Sequence, residues 1–191
     1  MKIGIDLDGV IFDTERAYRT LSEIYDVDIL KRNSIVDNNE LKLQNRYNWS
    51  NEEIQDFFNK YNTKIIENAS FIPGSKEVLT LLKNSNNQLI LMTALGLFVK
   101  DGQSISEKIL KQNDMYIFDK YYWNVADKKS LCQSENIDIM IDDYDNECLK
   151  IASSKTHVIY LKDSPYQDII NNKHIITLFG WGDIYRYIKN L

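Results

Sequence analysis

Residues 3–10, Ile3-Gly4-Ile5-Asp6-Leu7-Asp8-Gly9-Val10, run from a short apolar strand straight into two carboxylates and a glycine. Side chains alternate along a strand, so Asp6 and Asp8 leave the backbone on one side while Leu7 turns the other way, toward a core. Two acids are thereby delivered together where strand gives way to loop. Gly9 supports the same reading, because a residue without a Cβ permits a sharp exit turn and lets backbone approach a ligand. An Asp-x-Asp-Gly string can arise by accident, so its weight depends on the residues farther along the chain.

Working outward, residues 14–27 carry Leu21, Ile24 and Tyr25 at helical spacing, with Asp13 or Thr14 placed to cap the start. A polar stretch over 31–40 interrupts the pattern. Ser50 and Glu53 then form a capping box ahead of a helix in which Ile54, Phe57, Phe58, Tyr61, Ile65 and Ile66 make an apolar stripe, ending near Ala69. Pro73 and Gly74 mark a boundary before a helix with Val78, Leu79, Leu81 and Leu82 facing inward.

From there strands and helices alternate. A strand over 88–92 ends at Thr93, and a helix comes near 103–113. A strand over 121–125, a helix near 128–134 and a strand over 137–141 come next, the last ending at Asp142 and Asp143. A helix near 146–153 and a strand over 157–161 complete the series. This alternation implies an α/β fold, a doubly wound parallel sheet with helices on both faces, whose ligands sit outside the carboxyl ends of the strands. Residues 14–72 hold helices and no convincing strand. They read as a small helical cap inserted after the first strand, leaving 1–13 and 73–191 as the core domain.

A chain of 191 residues suits one domain with a smaller insertion and can bury a real core. With 28 acidic against 23 basic residues the formal charge is −5, which argues against a partner such as polymeric nucleic acid. The opening apolar run is broken by Asp6 and Asp8, unlike a signal-peptide core, and no run approaches a membrane span. The expectation is a cytoplasmic protein without a membrane partner. Cys132 and Cys148 fall in amphipathic segments and read as buried free thiols.

Four pieces now stand in order: Asp6 with Asp8, Thr93 after an apolar strand, Lys128 or Lys129 before a helix, and Asp142 with Asp143 after another apolar strand. This resembles the haloacid dehalogenase superfamily, whose motifs are Asp-x-Asp, a Ser or Thr, a Lys and a terminal acidic pair. The resemblance covers nearly the whole chain and implies a Rossmann-like core and a phosphatase. The physical logic agrees. An anionic oxygen attacking a phosphate dianion meets about 4 kcal/mol per unit-charge pair at about 4 Å and an effective dielectric near 20, so a cation has to sit between them. A hard divalent cation, Mg2+, held by Asp6 and Asp143 meets that need, and the resemblance adds the backbone carbonyl of Asp8.

On the same resemblance Asp6 is the nucleophile that forms an aspartyl-phosphate and Asp8 the general acid/base. Lys128 neutralises charge, Thr93 and the Ala94 amide bind phosphate oxygens, and Asp142 orients the lysine or a metal-bound water. Lys128 is preferred because it lies fourteen residues before Asp142 and comes directly after Asp127 at a strand-to-helix turn; Lys129 is the fallback. Glu147 falls where the family often has a further acid. Asp13 reads as a helix cap, and His157 and His174 as structural.

Within the superfamily the compact helical cap and the Ile141-Asp142-Asp143 ending are similar to the 5'(3')-deoxyribonucleotidase group and its bacterial relatives. That implies a nucleoside monophosphate as the small phosphorylated partner. Ala94-Leu95-Gly96 departs from the group, where an Arg-containing step is common. Among the cap aromatics, Tyr47 and Trp49 lie beside the loop and are the residues expected at the substrate. Two rivals stand beside this reading. Residues 6–15 also resemble the opening of the phosphoglucomutase-like branch, implying a sugar phosphatase or phosphomutase, and a silent phosphate-binding module would keep the fold without turnover.

Overall fold

In the computed structural model, which describes residues 1–191, the first apolar stretch is β1 (Lys2–Ile5), buried in the interior of a parallel sheet. A two-residue strand, β2 (Phe12–Asp13), comes after the acidic loop and leads into α1 (Thr14–Ile24). One turn of wider π-helix over Tyr25–Ile29 extends α1, and α2 (Leu43–Arg46) and α3 (Asn51–Asn68) complete the inserted helices. Asp13 caps α1, its side chain accepting from the Arg16 amide at 3.3 Å. The Ser50–Glu53 capping box is formed at the start of α3.

The chain returns through β3 (Ser70–Phe71), which pairs antiparallel with β2, so the inserted segment leaves and re-enters the sheet domain at one place. That short strand lies inside the stretch expected to hold only helices. Two residues are too few to show a period-2 pattern in sequence. Next come α4 (Ser75–Asn84), β4 (Gln88–Met92), α5 (Leu95–Phe98), α6 (Gly102–Gln112), β5 (Lys120–Tyr122) and α7 (Lys128–Glu135). The chain ends in β6 (Ile139–Asp142), α8 (Asp145–Ala152), β7 (His157–Leu161), β8 (Ile175–Leu178) and α9 (Trp181–Lys189).

The six long strands lie in the order β5-β4-β1-β6-β7-β8, all parallel. From β1 the chain builds outward through β4 to β5, then crosses back to β6 and builds the other way. The crevice outside the carboxyl ends of β4, β1 and β6 is therefore the switch point where such sheets bind ligands. Ile3, Ile5 and Leu7 are fully buried, each contributing about 1.5–3 kcal/mol by leaving water. Val78, Leu79 and Leu82 of α4 face inward as expected, but Leu81 is 46% exposed, because it falls on the opposite side of the helix. β5 stops at Tyr122, short of the expected 125, and Asn124 takes a left-handed φ of 59° that ends the extended run.

The inserted helices have a core of their own, in which Tyr25, Leu43, Tyr47, Trp49, Ile54, Phe57, Tyr61 and Ile65 form one buried cluster. Cys132 and Cys148 are buried free thiols, and no helix is long and apolar enough to cross a membrane.

Candidate active site

Three strands of the sheet hand over acids or a hydroxyl as they end. Asp6 still holds the ladder, its amide donating to Ile141 O at 3.0 Å, while its carboxylate stands beyond the sheet. Asp142 is the last residue of β6, with Asp143 next, and Thr93 comes directly after β4. α7 brings in the lysine. Asp127 caps that helix through the Ser130 amide at 3.0 Å, and Lys128, its first residue, turns inward and is buried.

Lys128 Nζ lies 2.6 Å from Asp142 Oδ2 and 3.0 Å from Asp6 Oδ1. Lys129 makes neither contact. Asp142 is fully buried and its other oxygen accepts the Tyr144 amide at 2.9 Å, so both its oxygens are engaged within the protein. Asp6 Oδ1 differs. It is buried, and its one polar neighbour is the Lys128 ammonium at 3.0 Å, which meets it as an ion pair.

Oxygens of Asp6, Asp142 and Asp143 lie within 4.8 Å of one another. Asp143 rests against Gly9, whose φ of +70° belongs to the left-handed region and where a Cβ would overlap the Asp143 carboxylate. The glycine that opens the loop thus also seats the acid from the far motif. Asp8 accepts a hydrogen bond from the Thr14 hydroxyl, in the first turn of α1. Trp181 of α9 ties this loop down, its indole N–H donating to Val10 O at 2.9 Å.

Two supporting residues escape a reading of the sequence. Thr14 stands out there only as a helix cap. Gln167, buried in the loop after β7, donates from Nε2 to the backbone oxygens of Asp143 and Leu161, each at 2.9 Å, and accepts the Ser164 amide. A lone Gln in a polar loop carries no sequence signal for such a clamp.

The electrostatics arise from four carboxylates crowding one ammonium group. Burial is the main influence on Asp6 and raises its carboxyl; Lys128 pulls it down, Asp142 and Asp8 push it up, and the result is about 7. Burial, then Asp142, Asp6 and Asp8, lift Asp143 well above the carboxylate range. Asp8 is also raised by burial, against the opposing pull of the Thr14 hydrogen bond and Lys128. For Lys128, burial disfavours the charge, but Asp6 and Asp142 outweigh it and keep it protonated. An orphaned oxygen on Asp6, an all-oxygen donor set and surplus negative charge together fit a hard divalent cation.

These groups lie at one end of a cleft of about 640 Å³ between the sheet and the inserted helices. Thr93 and Ala94 line it, and the buried Thr93 hydroxyl accepts the Leu95 amide at 3.2 Å. Glu147 is also on the lining, ion-paired to Lys150. Tyr47 and Trp49 are not. Tyr47 is buried with its hydroxyl bonded to Ser22 at 3.0 Å and Glu23 at 2.9 Å, and Trp49 donates to buried Asp26 at 2.8 Å. The expectation that they meet substrate is corrected: stacked on each other at 4.2 Å, they form the interior of the helical segment. The aromatic rings at the cleft are Tyr18, Phe58, Phe98 and Tyr144 instead.

No described family profile matches the chain. Two bacterial proteins are similar over its whole length. One, from Bacillus subtilis and provisionally named nucleotidase YqfW, is 23% identical over 190 residues, covering 100% of this chain and 94% of its own. The other, a nucleotidase from Clostridium acetobutylicum, is 22% identical over 191 residues, covering 100% and 95%. Among solved structures, a haloacid dehalogenase-like hydrolase from Streptococcus pneumoniae superposes with a TM-score of 0.68 at 18% identity, covering 98% of this chain and 97% of that one. A Thermotoga maritima protein assigned as a β-phosphoglucomutase gives 0.61 at 18%, covering 100% and 99%. The chain has the α/β fold of the haloacid dehalogenase-like hydrolases.

Proposed function

We propose that this chain, folded as a haloacid dehalogenase-like hydrolase, is a Mg2+-dependent phosphomonoester hydrolase with residues 14–72 as its cap and a nucleoside monophosphate as its substrate. The observation that carries the reading is the meeting of Asp6, Asp143 and Lys128 at the floor of a substrate-sized cleft. Two nucleotidase-named relatives of matching length support the choice of substrate.

Asp6 and Asp143, with the Asp8 carbonyl, would hold Mg2+, which when bound neutralises the charge between nucleophile and phosphate. An Asp6 oxygen attacks phosphorus, the bond to the leaving oxygen breaks, and protonated Asp8 delivers its proton to that oxygen. Asp8, now a carboxylate, takes a proton from water as the water attacks the aspartyl-phosphate, releasing phosphate and restoring Asp6. The raised pKa of Asp8 suits a donor that must start protonated, and Thr14 holds it in place. Lys128 balances Asp6 and Asp142, while Thr93 and the Ala94 amide take phosphate oxygens.

The phosphomutase rival needs a second phosphate to be gripped, and Lys128 is the single basic residue on the cleft lining. The silent-module rival leaves the hydrogen-bonded Asp8 without a purpose. Phosphate release from an aryl phosphate, measured for wild type and Asp6→Asn with Mg2+ or with chelator, tests the reading. Mg2+-dependent release by wild type alone is expected, and equal release by both proteins dismisses it. A screen of phosphorylated metabolites then ranks nucleotides against sugar phosphates.

A further inference from the structure

Seven carboxylates and one ammonium group line the cleft, an imbalance that extends past the catalytic floor. Its two flanks differ. On the β4 side, Phe98 of α5 joins Phe58 and Ile65 of α3 in an apolar wall, with Tyr18 stacked on Phe58 at 6.3 Å. On the β7 side stand Asp13, Glu15 and Asp163, the last just after β7.

Asp13 and Glu15 have cationic partners, Arg16 at 2.9 Å and Arg19 at 2.7 Å, but neither arginine reaches the lining. Arg16 points to solvent and is 78% exposed; Arg19 lies over the Tyr166 ring at 3.6 Å. Asp163 has no ion pair of its own. Partial burial and the charge of Asp13 raise its carboxyl against the opposing pull of Arg16, with a further push from Glu15, which locates the three acids in one electrostatic neighbourhood although Asp163 itself is exposed. Lys128 is committed to Asp6 and Asp142.

We infer that the cleft admits phosphomonoesters whose single anionic group is the phosphate, and that Asp163 is the specificity residue that turns away leaving groups carrying a second anion. This rests on the hydrolase reading for the orientation of substrate, with phosphate at the floor and leaving group between the flanks. A neutral leaving group lays its apolar face on Phe58 and Phe98. A cationic one gains from Asp163. A carboxylate or second phosphate meets the charge of Asp163, the one acid of this flank without an ion pair, and one such like-charge contact weakens binding roughly tenfold.

The test uses phosphonates, which bind without being hydrolysed. Wild type, Asp163→Asn and Asp163→Lys are titrated calorimetrically, with Mg2+, against 4-methyl-, 4-(aminomethyl)- and 4-carboxybenzylphosphonate, and their melting temperatures are compared to confirm folding. In wild type the carboxylate compound should bind about tenfold more weakly than the methyl compound and the amine at least as well. The gap should narrow to under about threefold in Asp163→Asn and reverse in Asp163→Lys. Equal affinities in wild type, a gap indifferent to both substitutions, or no binding by any of the three overturns the inference. If the predicted ranking appears while wild type releases no phosphate from aryl phosphates, the hydrolase reading falls and the charge selection stands.

Discussion

Replacing Gly9 with alanine tests whether the loop after β1 and the acid after β6 are built as one unit. Two costs arise in the structure. The backbone sits at φ +70°, a conformation that costs a residue with a Cβ roughly 1–2 kcal/mol. The new methyl also occupies the place of the Asp143 carboxylate, and forcing atoms into filled space typically costs about 1–3 kcal/mol. The single substitution should therefore destabilise by about 3 kcal/mol, or about 6–12 °C of melting temperature for a chain of this size. In an Asp143→Ala background the overlap is gone and only the backbone cost remains, so about half the penalty should disappear. Denaturant unfolding of all four proteins in the cycle, without Mg2+, measures this directly. Mg2+ affinity by calorimetry should also fall by on the order of tenfold in Gly9→Ala, because Asp143 must move. Additive penalties with Mg2+ affinity intact would refute the claim that Gly9 seats Asp143.

The same geometry sets other outcomes. Lys128→Met leaves Asp6 and Asp142 as unpaired buried charges and should cost about 3–5 kcal/mol in unfolding, whereas Lys129→Met should cost under about 0.5 kcal/mol. Without metal, stability itself should depend on pH. Asp6 titrates near 7 folded against 3.8 unperturbed, so the folded state binds the extra proton and its advantage, full below about pH 4, is lost as pH rises through 7. Melting temperatures between pH 4 and 8 should decline for wild type and decline less steeply for Asp6→Asn, in which Asp143 and Asp8, raised in the same direction, still titrate. Thr14→Val removes a hydrogen bond that lowers the Asp8 pKa, so the alkaline limb of kcat/KM should move to higher pH; an unmoved limb would exclude Asp8 as the proton donor. Trp49→Phe strands a buried oxygen of Asp26 and should lose about 1–3 kcal/mol with KM unchanged, since the ring does not reach the cleft.

The sequence exposed those parts of the molecule that depend on local pattern. The apolar runs at 88–92 and 157–161 are strands with the expected limits, and the Ser50–Glu53 box opens α3, because an unbroken apolar run and a capping box are properties of neighbours in the chain. The strand-end acids were legible for the same reason. What stayed hidden depends on partners distant in sequence. Tyr47 and Trp49 resemble loop aromatics free to stack on a ligand, yet their polar atoms are consumed by Ser22, Glu23 and Asp26, the last on the π-helical turn after α1. Gln167 became meaningful only when folding brought it to the Asp143 carbonyl, 24 residues away in the chain. The last strand and helix, β8 and α9, lie beyond the series of elements read from the sequence, although Trp181 of α9 pins the loop that carries Asp8.

The pairing of β2 with β3 has a consequence for how such a molecule can change over time. Phe12 and Phe71 lie opposite each other, with ring centroids 5.3 Å apart, so everything between them is strung from two neighbouring backbone points. A segment attached in that way can be lengthened, shortened or exchanged without disturbing strand order or the acids below it. On the hydrolase reading proposed above, ligand preference and the reaction floor would be carried by separate stretches of one polypeptide, with a two-rung hairpin stem as the border between them.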